Sequence, residues 1–455
     1  MKKTVFLLVA LLATFVSCFE KGGDTKADEN NSIDKCIHDL MSDFYLWNNT
    51  LPKFDQKEKR NPDEFFESLL HRDDFWSFIS DDYKELSAEL DGEPTTTGIA
   101  PLFWGYNNGN NVLIVVAYVY PNSPAAKAGI ERGDIILLID GKELTPENYY
   151  EEYTKKSASY TLATYDYTTE KLNETKTVDV TAQTLKCDPS VCDTIYEIEG
   201  KKIGYYAYMQ YTEGVSNEYL KNMYAIFDKF KAEGVKDLIL DLRYNSGGSV
   251  NAAQNLVSSI APASCILNNS IIVSLVYNTL VGNALEEEDP ENLYYRFINN
   301  GHNADMQNLY VLTTEGTASA SELTIIGLEP YMNVVQIGEN SHGKYTGMVI
   351  FDRTISGCED LDNWAIAPII FKYANSEGYT DFVNGLEPQI KVEDDVLSGY
   401  PLGCTDDPMI NAAICDIFNI PLTMKSAVDI PFKSGIITHE SATNNVYLKG
   451  KDLKK

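Results

Sequence analysis

The chain has 455 residues, too many for one ordinary hydrophobic core, and its 44% apolar content is enough to build two to four domains. Its 67 acidic side chains outnumber 37 basic ones, leaving a formal charge of −30. A chain so charged repels phosphate backbones and anionic bilayers, which argues against nucleic acid as a partner and suits the solvated surface of an exported protein.

The first element in the chain is an address. Lys2 and Lys3 precede an apolar run over residues 5–16, and Ser17 and Cys18 follow; this is the layout of a secretory signal, too short to span a bilayer as a mature helix. A cysteine at the expected cleavage point makes Cys18 the lipid-bearing first residue of a mature bacterial lipoprotein, exported to the cell envelope and facing the periplasm or the cell surface. Residues 19–31, rich in Lys, Asp, Glu, Gly and Asn, read as a flexible tether. Seven cysteines remain beyond Cys18, without a C-x-x-C pair or a metal-like histidine spacing, so no metal site is expected. Cys187 and Cys192 are close enough to bridge an exported loop and equally suited to stay as buried thiols.

Over residues 32–90, Cys36, Leu40, Phe44 and Trp47 recur at helical spacing, and Pro62 opens a second helical pattern with Phe65, Phe66 and Leu69. A small N-terminal helical domain is expected, with Trp76 and Phe78 in its core. Residues 91–182 change to short apolar strands with turns at Asn108-Gly109 and Asp140-Gly141. Within them lies S-P-A-A-K-A-G-I-E-R-G-D-I-I-L-L-I-D-G, from Ser123 to Gly141, in which Pro124 begins a helical turn and Gly129 ends it. This string resembles a PDZ domain, a β-rich module that adds a peptide's C-terminus to a sheet edge and holds the carboxylate in a nest of backbone amides. The resemblance implies a carboxylate loop near Gly98, Ile99 and Ala100. Phe103, Trp104 and Tyr106 suit either a groove for apolar side chains or internal packing.

From residue 195 to about 422 strands alternate with amphipathic helices, among them a face of Leu220, Met223, Ile226, Phe227 and Phe230, and the buried-strand run 238–242. This is an α/β core with helices packed on a sheet, followed by a weakly patterned tail over 423–455.

Three segments of this core carry chemistry. T-A-S-A-S-E, residues 317–322, lies between a strand and a helix, where free amides and the helix dipole favour negative charge at Ser319. Alone it is a capping box of Ser319 and Glu322. D-L-R-Y-N-S-G-G, residues 241–248, ends a strand in a glycine turn able to bring amides close to a substrate carbonyl. I-G-E-N-S-H-G-K, residues 337–344, ends on Lys344, whose amine in an apolar pocket would lose its charge and accept a serine proton.

In this order, behind a PDZ-like module, the segments resemble the C-terminal processing peptidases, or tail-specific proteases. The resemblance spans most of residues 32–422 and implies a multi-domain α/β protein: a crotonase-like (ClpP/crotonase) layered peptidase core with an inserted PDZ domain and the N-terminal helical domain. It implies Ser319 as nucleophile, Lys344 as general base, and Gly247 and Ala320 as oxyanion donors, with Gly248 a neighbouring candidate. Ser321 is the rival nucleophile, disfavoured by spacing and register. For the residue that orients the lysine, relatives use an acid three positions after the serine, here Glu322, or an aspartate eleven positions after it, here Pro330; Glu322 is therefore expected, and Glu329 stays open. His342 invites a Ser-His reading that no spacing supports. The expected activity is that of a serine endopeptidase cleaving exported polypeptides, without cofactor; the alternative is a catalytically inactive, lipid-anchored peptide-binding scaffold of the same fold.

Overall fold

Alternation along two neighbouring strands sorts their side chains into two cores. In the computed structural model, which describes residues 29–55, 61–166, 169, 171–422 and 447–448, the strands Asp237–Asp241 and Asn308–Thr313 pair in parallel, Leu238 opposite Leu309. Leu238, Leu240, Leu309 and Val311 join one core with the helices Glu218–Ala232, Val250–Ile260 and Ala320–Leu328. Ile239, Tyr310 and Leu312 join the other, covered by Met409, Ile410 and Ala413 of the helix Pro408–Ile417. Strands buried on both faces read as unbroken apolar runs, as these do.

The full sheet has six strands in the order Ser190–Ile198, Lys201–Tyr208, Asp237–Asp241, Asn308–Thr313, Asn333–Gly338 and Ile390–Lys391. Its first pair is antiparallel and the others are parallel. A five-stranded sheet, Tyr294–Arg296, Ile271–Tyr277, Ile369–Asn375, Thr346–Val349 and Tyr447–Leu448, adds a further layer. The helix Ala320–Leu328 packs on its strands Ile271–Tyr277 and Ile369–Asn375. All nine residues of that helix are buried, which is why A-S-E-L-T-I-I-G-L has no polar face. This is the layered α/β core expected.

The N-terminal helices Glu29–Phe44, Pro62–Leu69 and Tyr83–Leu90 form as read, beginning inside the expected tether. They share the main core instead of building their own: Ile37, Met41, Phe44, Phe66 and Leu86 pack with the catalytic helices. The strand Phe78–Ser80 pairs with Ala365–Ala367, and a disulfide joins Cys36 to Cys358, 322 residues apart in sequence. Cys187 and Cys192 are free thiols, and burial pushes the Cys187 thiol up to about 12. Cys18, the expected signal segment and most of the 423–455 tail lie outside the described residues.

The PDZ module is an antiparallel sheet in the order Ile99–Tyr106, Asn111–Val119, Ile135–Ile139, Ser157–Asp166 and Lys171–Thr181. Ser123 caps the turn Pro124–Lys127 by accepting from the Ala126 amide at 3.1 Å. Phe103 and Trp104 are buried, Phe103 packing edge-on against Tyr149 and Tyr153; they are internal packing. Gly98 has φ +86°, and a Cβ there would lie 2.2 Å from that of Ser123. Its amide donates to Thr96 Oγ1 at 3.1 Å, and the Tyr153 hydroxyl donates to the Ile99 carbonyl at 3.1 Å. Ile99 is buried and Ala100 half-buried at the start of this edge strand.

Candidate active site

The strand Asn308–Thr313 delivers the chain to a turn that closes on itself. The Thr317 hydroxyl accepts from the Thr314 amide at 3.0 Å and donates to the Leu242 carbonyl at 2.8 Å, tying the turn to the end of the neighbouring strand. Two residues on, Ser319 adopts φ 66° and ψ −112°. An L-residue with a side chain adopts positive φ only when its surroundings hold it there, and such strain gathers at functional positions.

Those surroundings are specific. The Glu322 carboxylate, fully buried, accepts four hydrogen bonds: Ser341 Oγ and the Gly343 amide on Oε1, both at 2.6 Å, and the amides of Lys344 at 2.9 Å and Ser319 at 2.7 Å on Oε2. One oxygen therefore ties the backbone of the serine to the backbone of the lysine. Tyr373 does the same from the opposite polarity, its hydroxyl 2.9 Å from the Ser319 carbonyl and 2.7 Å from the Lys344 carbonyl. Burial raises the Glu322 carboxyl above the ordinary range, against the pull of its four donors. Among the carboxylate's contacts, the one to Lys344 runs through the main chain.

Lys344 reaches this position through two glycines. Gly338, φ +126°, passes so close to the Thr313 carbonyl that a Cβ would lie 2.2 Å from its oxygen; Gly343, φ +97°, passes between Val383 and Gly385, a Cβ there lying 2.7 Å from the Val383 oxygen. Ser319 and Lys344 both have no exposed surface. The face of the Trp76 ring lies 5.7 Å from Lys344 Nζ, so this tryptophan, read as core, borders the site. His342 is exposed, its amide donating to the Thr317 carbonyl at 2.9 Å and its Nε2 lying 3.5 Å from Trp76 Nε1.

The rival serine has other work: Ser321 Oγ donates to the Asn245 carbonyl at 2.8 Å and so holds the glycine turn in place. Glu329 follows the last residue of the helix whose first turn holds Glu322, roughly 14 Å along its axis from Ser319. The two glycines divide in purpose. Gly248 makes room for the Tyr211 carbonyl, 2.2 Å from its hypothetical Cβ, whereas at Gly247 that Cβ would lie 2.7 Å from Ser319 Cβ and 3.0 Å from the Ala320 nitrogen. Gly247 thus passes directly against the serine, its amide donating to Asn245 Oδ1 at 2.9 Å.

Behind the glycine turn lies a charge network that the sequence reading did not include. Arg243 has no exposed surface and bonds Asp241, Asp394 and Asp407, each at 2.8 Å. Arg132 of the PDZ module reaches Asp394 at 3.0 Å, the Ala117 carbonyl at 2.6 Å, the Tyr400 carbonyl at 3.1 Å and the Tyr244 hydroxyl. Burial alone would raise the Asp394 carboxyl, but Arg132 and Arg243 outweigh it and hold it below the ordinary range. Arg243 was visible as a lone cation ending a buried strand; Tyr373, one of 29 tyrosines, had no signal at all.

A serine held at positive φ, amides at a helix start and a buried amine whose backbone is tied to the same carboxylate are groups of the kind that acyl transfer uses, and the comparisons that follow make the class that of a serine endopeptidase. Residues 202–392 match the profile of "Peptidase family S41", residues 32–78 that of the "Peptidase S41 N-terminal domain", and residues 115–161 that of a PDZ domain. A carboxyl-terminal-processing protease of Picosynechococcus sp. is 26% identical over 370 residues, 80% of this chain and 81% of the relative; one of Synechocystis sp. is 26% identical over 336 residues, 73% and 70%. The crystal structure of a putative S41 protease from Bacteroides fragilis superposes with a TM-score of 0.69 at 26% identity, covering 89% of this chain and 99% of that one. Residues 202–392 thus carry the match to peptidase family S41, and most of the chain is similar to carboxyl-terminal-processing proteases.

Proposed function

We propose that this endopeptidase works through a Ser-Lys dyad, Ser319 as nucleophile and Lys344 as general base. The neutral lysine amine takes the Ser319 hydroxyl proton as Oγ attacks the scissile carbonyl, then returns it to the leaving amine; water hydrolyses the acyl-enzyme by the same route. The oxyanion is received by the Ala320 amide and by the Gly247 amide, which exchanges its neutral acceptor Asn245 Oδ1 for a charged one, a stronger partner. Glu322 aligns the pair through their amides. The single observation that carries this reading is the bridging of Ser319 and Lys344 main chains by one carboxylate oxygen.

The PDZ module is proposed to recruit the C-terminal tail of the substrate along the edge strand Ile99–Tyr106, and Cys18 to anchor the enzyme by lipid in the cell envelope. Casein digestion by wild type, Ser319→Ala and Lys344→Ala tests the dyad: both variants are expected to lose turnover, and equal digestion by all three refutes it. Amidation of a peptide's C-terminus should weaken its binding; unchanged affinity removes tail recognition. A Cys18→Ala chain should leave the membrane fraction, and one that stays there overturns the anchor.

A further inference from the structure

Trp76 reaches the site from the far end of the chain, and its backbone is fastened with unusual care. The nearly buried carboxylate of Asp74 accepts from the amides of Trp76 at 3.0 Å and Ser77 at 2.9 Å, from Ser77 Oγ at 2.5 Å and from the Tyr45 hydroxyl at 2.7 Å. Ser77 Oγ in turn accepts at 2.8 Å from the amide of Ile369, the first residue of the strand that carries Tyr373. The indole that results is half-buried, its face 5.7 Å from Lys344 Nζ, its Nε1 3.5 Å from His342 Nε2, and its edge against Tyr345 with centroids 6.5 Å apart. Lys344 beneath it has no exposed surface.

We propose that Trp76 is a positioning residue for the reaction, shutting water away from the Lys344 amine and fixing where that amine lies. The proposal rests on the reading of Lys344 as general base. Two effects of the ring oppose each other: its π-face attracts an ammonium, favouring the charged form, while its exclusion of water disfavours that form. Cation–π attraction is the smaller of the two, since burial moves lysines by as much as several pH units. The net action of the indole is to keep the amine ready to accept a proton. Other titratable groups face Lys344: Glu322 from the helix, Tyr373 from the sheet, and His342 on its own loop, with Glu315 beside that histidine. Burial raises the Glu322 carboxyl above its ordinary range and the Tyr373 hydroxyl well above its own; His342 is removed by working in a His342→Gln background.

The test is the pH dependence of kcat/KM for Trp76→Ala and Trp76→Phe in that background, with thermal melts to confirm folding and Lys344→Ala alongside. Opening the site with alanine should move the upper limb of the acid side to higher pH by about one unit, toward the ordinary lysine range near 10.4. Phenylalanine keeps a ring over the amine and should move it less than half as far. Phe75→Ala, altering the exposed neighbour, should leave the limb in place. Limbs of both Trp76 variants that superpose on the parent, while Lys344→Ala is inactive, overturn the role of Trp76 and leave the base assignment standing. Full turnover by Lys344→Ala overturns the base assignment itself. If the alanine variant does not fold, the phenylalanine limb alone decides, an unmoved limb counting against the proposal.

Discussion

Replacing Glu322 by glutamine removes a charge and one acceptor while keeping the shape of the side chain. The native carboxylate serves four donors, two on each oxygen. A carboxamide has one oxygen, and its favoured orientation keeps that oxygen on the Ser319 and Lys344 amides, because Ser341 Oγ can turn to accept from the new NH2 group. The Gly343 amide is then orphaned, which costs about 1–3 kcal/mol of stability. The two retained bonds fall from charge-assisted to neutral strength, each losing about 1 kcal/mol. If that loosening of about 2 kcal/mol is felt in the transition state, kcat falls roughly 30-fold with KM little changed. Steady-state cleavage of a chromogenic peptide, read beside urea unfolding, separates the two effects. A kcat within twofold of wild type would refute the bridging argument, whatever happens to the unfolding midpoint. The wild type should imitate the variant in acid: activity tied to an ionised Glu322 disappears as pH falls through its raised pKa, earlier than for an ordinary glutamate.

Three further outcomes follow from the same geometry. Gly247→Ala places a methyl 2.7 Å from Ser319 Cβ at φ +110°, so peptide kcat should drop about 10²–10³-fold, the size of losing one oxyanion donor, with a fold loss of about 1–2 kcal/mol; near-normal kcat counts against Gly247 as that donor. Exchanging both Cys36 and Cys358 for serine should destabilise the enzyme by about 2–4 kcal/mol, visible as a lower Tm, and an unchanged Tm would mean the bond is not formed. Asp394, held low by Arg132 and Arg243, contributes stability that is whole above its unfolded value near 3.8 and is lost as pH falls through the lower folded value. Asp394→Asn should therefore lose about 3–5 kcal/mol at neutral pH and flatten the acid limb of the stability curve; a limb as steep as wild type's would be the contrary result.

An α/β core was readable because parallel strands buried on both faces write themselves as apolar runs, as residues 238–242 do, whereas its layering followed only from the family resemblance; glycines at 129 and 133 marked turns that need positive φ. Ser319 and Lys344 were readable as motif positions, and Glu322 as a cap. What the sequence could not display was distance. Glu322 touches Lys344 through a main-chain amide, which any residue has, and Tyr373 acts through a hydroxyl shared by 28 other tyrosines. Trp76 was taken for core because half-buried aromatics at the edge of a helical region usually are; only tertiary packing turns its face toward a lysine 268 positions later, its bond to His342 already spanning 266. The N-terminal helices were read as a small helical domain; that they share the main core was not legible, since periodicity shows which face is apolar but not what covers it.

The disulfide from Cys36 to Cys358 and the pairing of Phe78–Ser80 with Ala365–Ala367 also set a clock. At about 5–20 residues per second of synthesis, the cysteine at 36 waits roughly 15–60 s for its partner at 358, and the N-terminal segment cannot complete its docking until residue 367 has been made. A protease assembled in that order has no finished cutting site while its own nascent chain is still extended and vulnerable, so topology alone delays the enzyme until there is a folded body to carry it.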